Sequence, residues 1–270
     1  MKDNSILQKK SDIGLIREKN EDSACVLSHP KNHSIKMLAI ADGMGGKDLG
    51  DVASKYVIEV LSDWFKKESI DVLTDEEKLE KVLKSKVSRI NMDLIADYGK
   101  EKLGTTLSMG IITEEGTTVL NIGDSRCYTY KEGKLKQITE DDSHVWLFYK
   151  SGEATKDDLR YFSTSSFISA CIGLNKDLCV PNVIKIKNDS YDMIMFFTDG
   201  VTDLLTDKKI KEVIEKYKKN QILDRLIQEA VYVDQDLHVP PRLRRNFAEP
   251  FLVPSAGKDN ATGAIYIKNV

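Results

Sequence analysis

The sequence predicts an α+β fold in which antiparallel strands build the sheet and amphipathic helices pack outside it. Two observations carry this. Apolar segments come in pairs around short polar turns, the mark of hairpins rather than of parallel crossover units. Around these pairs lie stretches whose apolar residues recur at three and four, the period of a helix with one buried face.

Taken in order, "SACVLS" and "IKMLAIA" read as strands around the polar turn "HPKNH". A helix follows, with Val52, Ala53, Tyr56, Val57, Val60, Leu61, Trp64 and Phe65 on one face. A second carries Leu79, Val82, Leu83, Val87, Ile90 and Leu94, and its opening "TDEEK" puts acids where the helix dipole favours them. "TTLSMGII" and "TTVLNIG" flank "TEEG", and "RCYTY" and "KLKQI" flank "KEG", giving two hairpins. Residues 140–180 are less regular and more polar, an excursion from the core. "NVIKIK" and "DMIMFFTD" return to strand pattern. Two helices follow, one over about 207–217 and one holding Ile222, Leu223, Leu226, Ile227 and Ala230. A Pro-rich stretch, 233–256, precedes the closing strand "GAIYIK".

Composition bounds the function. With 270 residues, 41% hydrophobic and 31% charged, the chain is long enough for one or two ordinary domains. Forty basic and 43 acidic side chains give a net charge of -3, which argues against a nucleic-acid binder working through a broad basic face. The start "MKDNSILQKK" lacks the apolar centre of a signal peptide, and no segment has the roughly 18 uncharged residues of a membrane span. A cytoplasmic location is the expectation. Cys25, Cys127, Cys171 and Cys179 form no CxxC pair and read as buried thiols. His29 and His33 are separated by Pro30, which spoils a helical ligand pair, and read as part of a solvated turn.

The chemistry lies in aspartates at strand ends. "MLAIADGMGG" is an apolar run that stops on Asp42, followed by Gly43, Gly45 and Gly46. An acid at the mouth of a core strand is costly unless something compensates it, and glycines let the backbone approach what it holds. "MIMFFTDG" repeats the arrangement at Asp199 and Gly200, "AGKDNATGAIYI" places Asp259 before the last strand, and "REKNEDSACV" places Glu21 and Asp22 before an early one. Each Asp-Gly alone is an ordinary turn pair. Together they suggest carboxylates converging on one spot, where a cation would relieve their repulsion. Oxygen ligands without paired His or Cys select hard ions such as Mg²⁺ or Mn²⁺.

In this order "SDIGLIREKNEDS", "ADGMGG", "LGTTL", "NIGDSR", "SGEAT", "TDGVTD" and "GKDNATG" resemble the motifs of the metal-dependent type 2C serine/threonine protein phosphatases in their bacterial form. The resemblance runs from about residue 11 to 267. It implies a sandwich of two antiparallel β-sheets with helices on both outer faces, as one phosphatase domain over 1–270, with a flap at about 140–180. It implies two Mn²⁺ or Mg²⁺ ions, bridged by Asp42, with the Gly43 carbonyl, Asp199 and Asp259 as further ligands and Asp22 acting mostly through waters. Arg17 corresponds to the phosphate-gripping arginine, a task that suits a planar guanidinium. Glu21, Asp203 and Asn260 fall behind the ligands as supports. A water activated between the two ions would then hydrolyse phosphoserine and phosphothreonine in proteins. Phosphorylated proteins are the implied substrates, with a serine/threonine kinase as a further candidate partner; no nucleic-acid or membrane partner is expected. A catalytically weak relative that binds phosphoproteins or a kinase, and a small-molecule phosphohydrolase, stay open as alternatives.

Three departures from the family pattern stand out. Met44 takes the place of a histidine found in animal members, leaving the proton donor to the leaving oxygen unassigned. Lys102 stands two residues before Gly-Thr-Thr, where the resemblance expects an aspartate for a third metal, so a third site is doubtful. Asp124 in "NIGDSR" reads as structural, part of an ion-pair or capping network. The stretch 233–256, with four prolines and "RLRR", is longer than the direct passage of bacterial relatives. It is either a stiff surface loop with solvated arginines or a loop near the metals whose arginines hold phosphorylated substrates.

Overall fold

The computed structural model describes residues 4–45, 49–175, 177, 179–248 and 250–268, so Gly46 of the glycine run lies outside the described residues. In chain order the strands and helices are β1 (Ile6–Asp12), β2 (Asp22–His29), β3 (Asn32–Gly45), α1 (Gly50–Lys67), α2 (Ile70–Thr74), α3 (Glu76–Tyr98), β4 (Leu103–Thr105), β5 (Leu107–Ile112), β6 (Thr117–Ile122), β7 (Arg126–Lys131), β8 (Lys134–Gln137), α4 (Trp146–Lys150), β9 (Asn182–Ile186), β10 (Met193–Phe197), α5 (Asp199–Thr202), α6 (Asp207–Lys216), α7 (Ile222–Tyr232), α8 (Pro241–Asn246) and β11 (Ala261–Ile267).

The strands form two antiparallel sheets. One has the order β1-β11-β10-β7-β8; the other runs β2-β3-β5-β6-β9, with β4 pairing the far end of β3. They stack face to face with helices outside, as the resemblance implies. The apolar run in β3 shows why it is continuous: alternate residues serve two interfaces. Leu38 and Ile40 meet Ile194, Phe196 and Ala264 between the sheets. Met37, Ala39 and Ala41 face outward onto Val57, Leu61 and Phe65 of α1 and Leu83 and Val87 of α3. On the opposite outer face, Met193, Met195, Phe197 and Ile265 pack against Ile210, Leu223 and Ile227 of α6 and α7. Full burial of each such side chain stabilises the fold by about 1.5–3 kcal/mol, so both helix layers are held mainly by their apolar stripes.

The helix starts follow local chemistry. The Asp75 carboxylate accepts the Glu77 and Lys78 amides at 3.1 and 3.0 Å to open α3, and Thr206 accepts the Lys209 amide at 3.1 Å to open α6. The hairpins β2–β3, β5–β6 and β7–β8 are as the sequence predicts. β1 is not predicted. It is an edge strand carrying Lys9 and Lys10, whose charge hides the alternation. His29 corrects the sequence reading. It is fully buried, edge-on to Phe65 with centroids 5.4 Å apart, and its Nε2 lies 3.2 Å from the Glu68 carbonyl. The four cysteines are free thiols, three of them buried. Among the described residues no helix is long and apolar enough to cross a membrane.

Residues 138–181 leave the sheets between β8 and β9. Ala170 and Ile172 return to the core under α1 and α3, but most of the segment's large apolar side chains do not join the main cores. Val145, Trp146, Leu159 and Phe162 instead form a fourth cluster with Leu243, Phe247 and Phe251, which come from the stretch after α7.

Candidate active site

The two sheets bring their strand ends together at one edge. Asp42 stands near the end of β3, with Asp22, the first residue of β2, opposite it in register. Asp199 stands one residue beyond β10 and begins α5, and Asp259 precedes β11. Asp42 is clamped by its backbone. Its amide donates to Thr106 Oγ1 at 3.0 Å, and its carbonyl accepts from the Thr106 amide and Thr105 Oγ1, both at 2.9 Å. The "GTT" motif therefore positions the acid rather than reacting. Thr106 Oγ1 in turn meets Ser125 Oγ at 2.8 Å, which ties "GDSR" into the same scaffold.

Gly43 and Gly200 are required by close approach. A Cβ on Gly43 would lie 2.1 Å from the Gly50 carbonyl oxygen, and one on Gly200 would lie 2.0 Å from that of Asn260. Asn260 is a hub. Its Oδ1 accepts the Glu21 amide at 2.8 Å, and its Nδ2 donates to the carbonyls of Ile13 and Lys19 at 2.8 and 3.1 Å. The Glu21 carboxylate accepts the Gly50 amide at 3.0 Å, so it caps α1. Asn260 and Glu21 thus fix the loop that carries Arg17. The Arg17 guanidinium is half-exposed and donates to Asp259 Oδ2 at 2.7 Å.

A cavity of about 200 Å³ is lined by Arg17, Asp42, Gly43, Asp124, Asp199 and Asp259, with Ser166 and Ile168 of the excursion on its far side. Burial drives Asp42 well above the ordinary carboxylate range, and the charges of Asp22, Asp199 and Asp259 push it further. Asp199 is raised for the same reasons, by burial and then by Asp124, Asp203 and Asp259. Burial lifts Asp22 to about 7 against the hydrogen bonds it accepts from Thr262 and Thr198. So many buried carboxylates crowd each other that a bound cation would relieve them. Asp22 Oδ1 and Asp199 Oδ1 are buried without a hydrogen-bond partner among the described residues. No three acidic, imidazole or thiol groups among the described residues close into an all-protein cage. The unpartnered carboxylate oxygens, and a lining that offers carboxylates but no His or Cys, suit a hard ion, so the residues present fit Mg²⁺ or Mn²⁺.

Each residue expected at the site has a definite place. Arg17, Asp42, Gly43, Asp199, Asp259 and Glu21 line the cavity. Asp22 does not: it sits behind Asp42, its Oδ2 taken by Thr198 Oγ1 at 2.9 Å. Asp203 is one helical turn after Asp199, its amide on the Asp199 carbonyl at 2.7 Å, and its own carbonyl accepts from Arg160 Nη1 at 2.8 Å.

Two expectations need correction, and one open alternative is decided. Asp124 faces the cavity and is raised to about 7, by burial and then by Asp141 and Asp203. Its neighbours are structural as predicted, with Arg126 and Asp141 forming a buried ion pair at 2.6 Å. An apolar strand ending at an acid beside glycine, the signal that marked Asp42, was there to be read at Asp124, with the glycine before the acid instead of after it. Lys102 is exposed in the turn before β4 and is not among the cavity's lining residues, because Glu101, with φ of 60°, turns the chain away there. The case against a third cation therefore cannot rest on Lys102. Lastly, the arginines of "RLRR" do not line the cavity. Arg242 pairs with Asp158 at 2.6 Å, and Arg244 and Arg245 are exposed. The same stretch reaches the site by other residues, Leu252 to Ser255, beside Arg17 and Asp259.

Comparison with known proteins adds an independent line. The family model described as Protein phosphatase 2C matches residues 17–234. The chain is 30% identical over 210 residues to the serine/threonine phosphatase stp of Listeria monocytogenes, spanning 76% of this chain and 81% of that protein. It superposes on the serine/threonine phosphatase Stp1 from Staphylococcus aureus with a TM-score of 0.79 and 26% identity, covering 99% of this chain and 95% of that one. It also superposes on the catalytic domain of the serine/threonine protein phosphatase PstP, solved in complex with two manganese ions, with a TM-score of 0.72, 27% identity and 97% coverage of both chains.

Proposed function

Because the chain belongs to the protein phosphatase 2C family, we propose that it hydrolyses phosphoserine and phosphothreonine in proteins, using Mn²⁺ or Mg²⁺ held by Asp42, the Gly43 carbonyl, Asp199 and Asp259. The observation that carries this reading is the convergence of Asp42, Asp199 and Asp259 on one cavity with Arg17 at its edge. Such ions, when bound, supply a nucleophilic water at neutral pH and neutralise phosphoryl charge.

The chain's own residues do the rest. Arg17 is half-exposed, so its guanidinium is free to swing from Asp259 to two phosphate oxygens of a substrate. Asn260 and Glu21 hold the Arg17 loop against β11 and α1. The Thr198 hydroxyl orients Asp22 behind Asp42, and Asp203 braces the turn that presents Asp199. Met44 lines the cavity but has no proton to give, so the leaving oxygen takes its proton from elsewhere in the site.

We read residues 1–270 as one phosphatase domain, with a flap at about 140–180 and an inserted segment at about 233–256 that share a small core of their own. The free thiols fit a reducing compartment, which supports a cytoplasmic location. Phosphoproteins are the partners this reading requires, and a serine/threonine kinase is a natural source of them. Release of phosphate from a phosphothreonine peptide should need Mn²⁺ or Mg²⁺ and be abolished, reversibly, by EDTA. Asp42→Asn and Asp199→Asn should each remove turnover from a folded protein. Full activity in EDTA would refute the reading. Tight phosphopeptide binding without turnover by the metal-loaded protein would favour a binding module instead.

A further inference from the structure

The inserted segment after α7 is pinned across the flap. The Leu252 amide donates to the Tyr161 carbonyl at 2.7 Å, the Ser163 amide donates to the Pro250 carbonyl at 3.1 Å, and Phe162 and Phe251 form an isolated antiparallel bridge. The Phe162 ring meets those of Phe247 and Phe251 with centroids 5.0 and 5.2 Å apart, and Leu243 is buried beneath. Yet the two residues this anchoring holds in place point outward: Leu252 is 52% exposed and Val253 is 49% exposed.

They wall a second cavity, of about 220 Å³, together with Leu204 and Pro254. Its other side is polar, with Arg160, Ser165 and Ser166 of the flap and Lys258, and its floor is Arg17, Asp199 and Asp259, so the aliphatic character is confined to the one wall. Those three floor residues also line the carboxylate cavity, so the two spaces adjoin at Arg17. The volume is below the about 300–1,000 Å³ of small-molecule sites, and suits a side chain rather than a nucleotide or other free ligand. A phosphorylated residue gripped at Arg17 must send an adjoining residue of its own chain along this wall, and the wall is aliphatic.

We propose that this cavity is a specificity subsite for a large aliphatic or aromatic side chain next to the phosphorylated residue, with Leu252 and Val253 as its determinants. The proposal rests on the phosphatase reading above. It assigns the insertion a substrate-selecting role, carried by its apolar residues rather than by its arginines.

The test is a set of phosphothreonine peptides identical except for Leu, Phe, Ala or Asp on either side of the phosphothreonine, assayed with Mn²⁺. The wild-type enzyme should favour Leu or Phe over Ala on one side by about tenfold in kcat/KM, the scale of discrimination of an apolar pocket. The double variant Leu252→Ser, Val253→Ser should lose that ratio, and Leu252→Met should keep it. Both residues are half-exposed, so the variants should fold, which thermal melting will check. A wild-type enzyme indifferent to the neighbouring residue would overturn the proposal. So would a double variant slowed equally on every peptide with its preference intact, since that marks a merely structural role. Failure of the wild type on every phosphopeptide would refute the phosphatase reading itself and the subsite with it.

Discussion

Removing the Arg242 guanidinium should loosen the flap while leaving the sandwich folded. Arg242 Nη2 sits 2.7 and 2.6 Å from the two carboxylate oxygens of Asp158, whose side chain is 2% exposed. Exposed ion pairs contribute up to about 1 kcal/mol. Breaking a fully buried pair costs about 3–5 kcal/mol because a charge is left alone. This pair falls between. Arg242 is 48% exposed, and Asp158 retains two other donors, the Thr155 amide at 2.7 Å and the Thr155 hydroxyl at 2.6 Å. Arg242→Ala should therefore cost about 1–2 kcal/mol, a roughly five- to thirtyfold increase in local opening. The loss should stay local, because the buried apolar side chains of residues 145–162 pack with the insertion, whereas Ala170 and Ile172 keep the far end of the flap in the core under α1 and α3. Amide hydrogen exchange is the assay: residues 146–162 should lose protection while β3 keeps it. Arg244→Ala is the control, since Arg244 is exposed and makes no ion pair among the described residues. Unchanged flap exchange in Arg242→Ala, or equal loosening by Arg244→Ala, would refute the reasoning.

Two further outcomes follow from the carboxylate cluster. Asp22 and Asp124 are held at about 7 in the folded chain, against 3.8 ordinarily. Folding therefore favours their protonated forms, and the stability this contributes is complete below about pH 4 and lost as pH rises through about 7. The ceiling is about 4 kcal/mol per group. Melting temperature in EDTA should thus fall between about pH 5 and pH 8, and Asp42→Asn should flatten that fall; a metal-free protein that becomes more stable over this range would contradict the burial argument. The second outcome concerns the dependence of kcat on Mn²⁺ concentration. It should be altered by Asp124→Asn, which changes the cavity lining, and unaffected by Lys102→Asp, which lies outside it; the reverse pattern would restore Lys102 to the site.

What was legible in the sequence was what short-range physics controls. β3 could be read because an uninterrupted apolar run from Met37 to Ala41 serves two interfaces at once. α1, α3, α6 and α7 could be read because each buries a single stripe. Asp42 and Asp199 could be read because each ends an apolar run just before a glycine, and Asp259 because it stands at the mouth of the last strand; their repetition, not any one of them, carried the signal. Asp124 carried the same mark, but Ser125 and Arg126 beside it do bond within the scaffold, and their role was extended to it wrongly. The opposite fault produced the assignment of Lys102, where a position was taken from motif spacing although the local chain turns away.

The flap and the insertion failed for a different reason. Phe162 and Phe251 are bridged partners that lie far apart in the chain, and neither segment has a period that announces the other. Pro240, Pro241 and the run of arginines suggested a solvated loop, since proline and charge dominate any local reading. The decisive residues were the apolar ones between them: Leu243, Phe247 and Phe251 anchor the segment, and that anchoring leaves Leu252 and Val253 facing the cavity. The acids proposed to hold the metal are built into strand ends and so are fixed by the sandwich. The neighbouring wall is built from two excursions that hold each other, so Leu252 and Val253 can change without touching the strand ends that carry the acids, and on the proposed reading substrate choice is separable from chemistry.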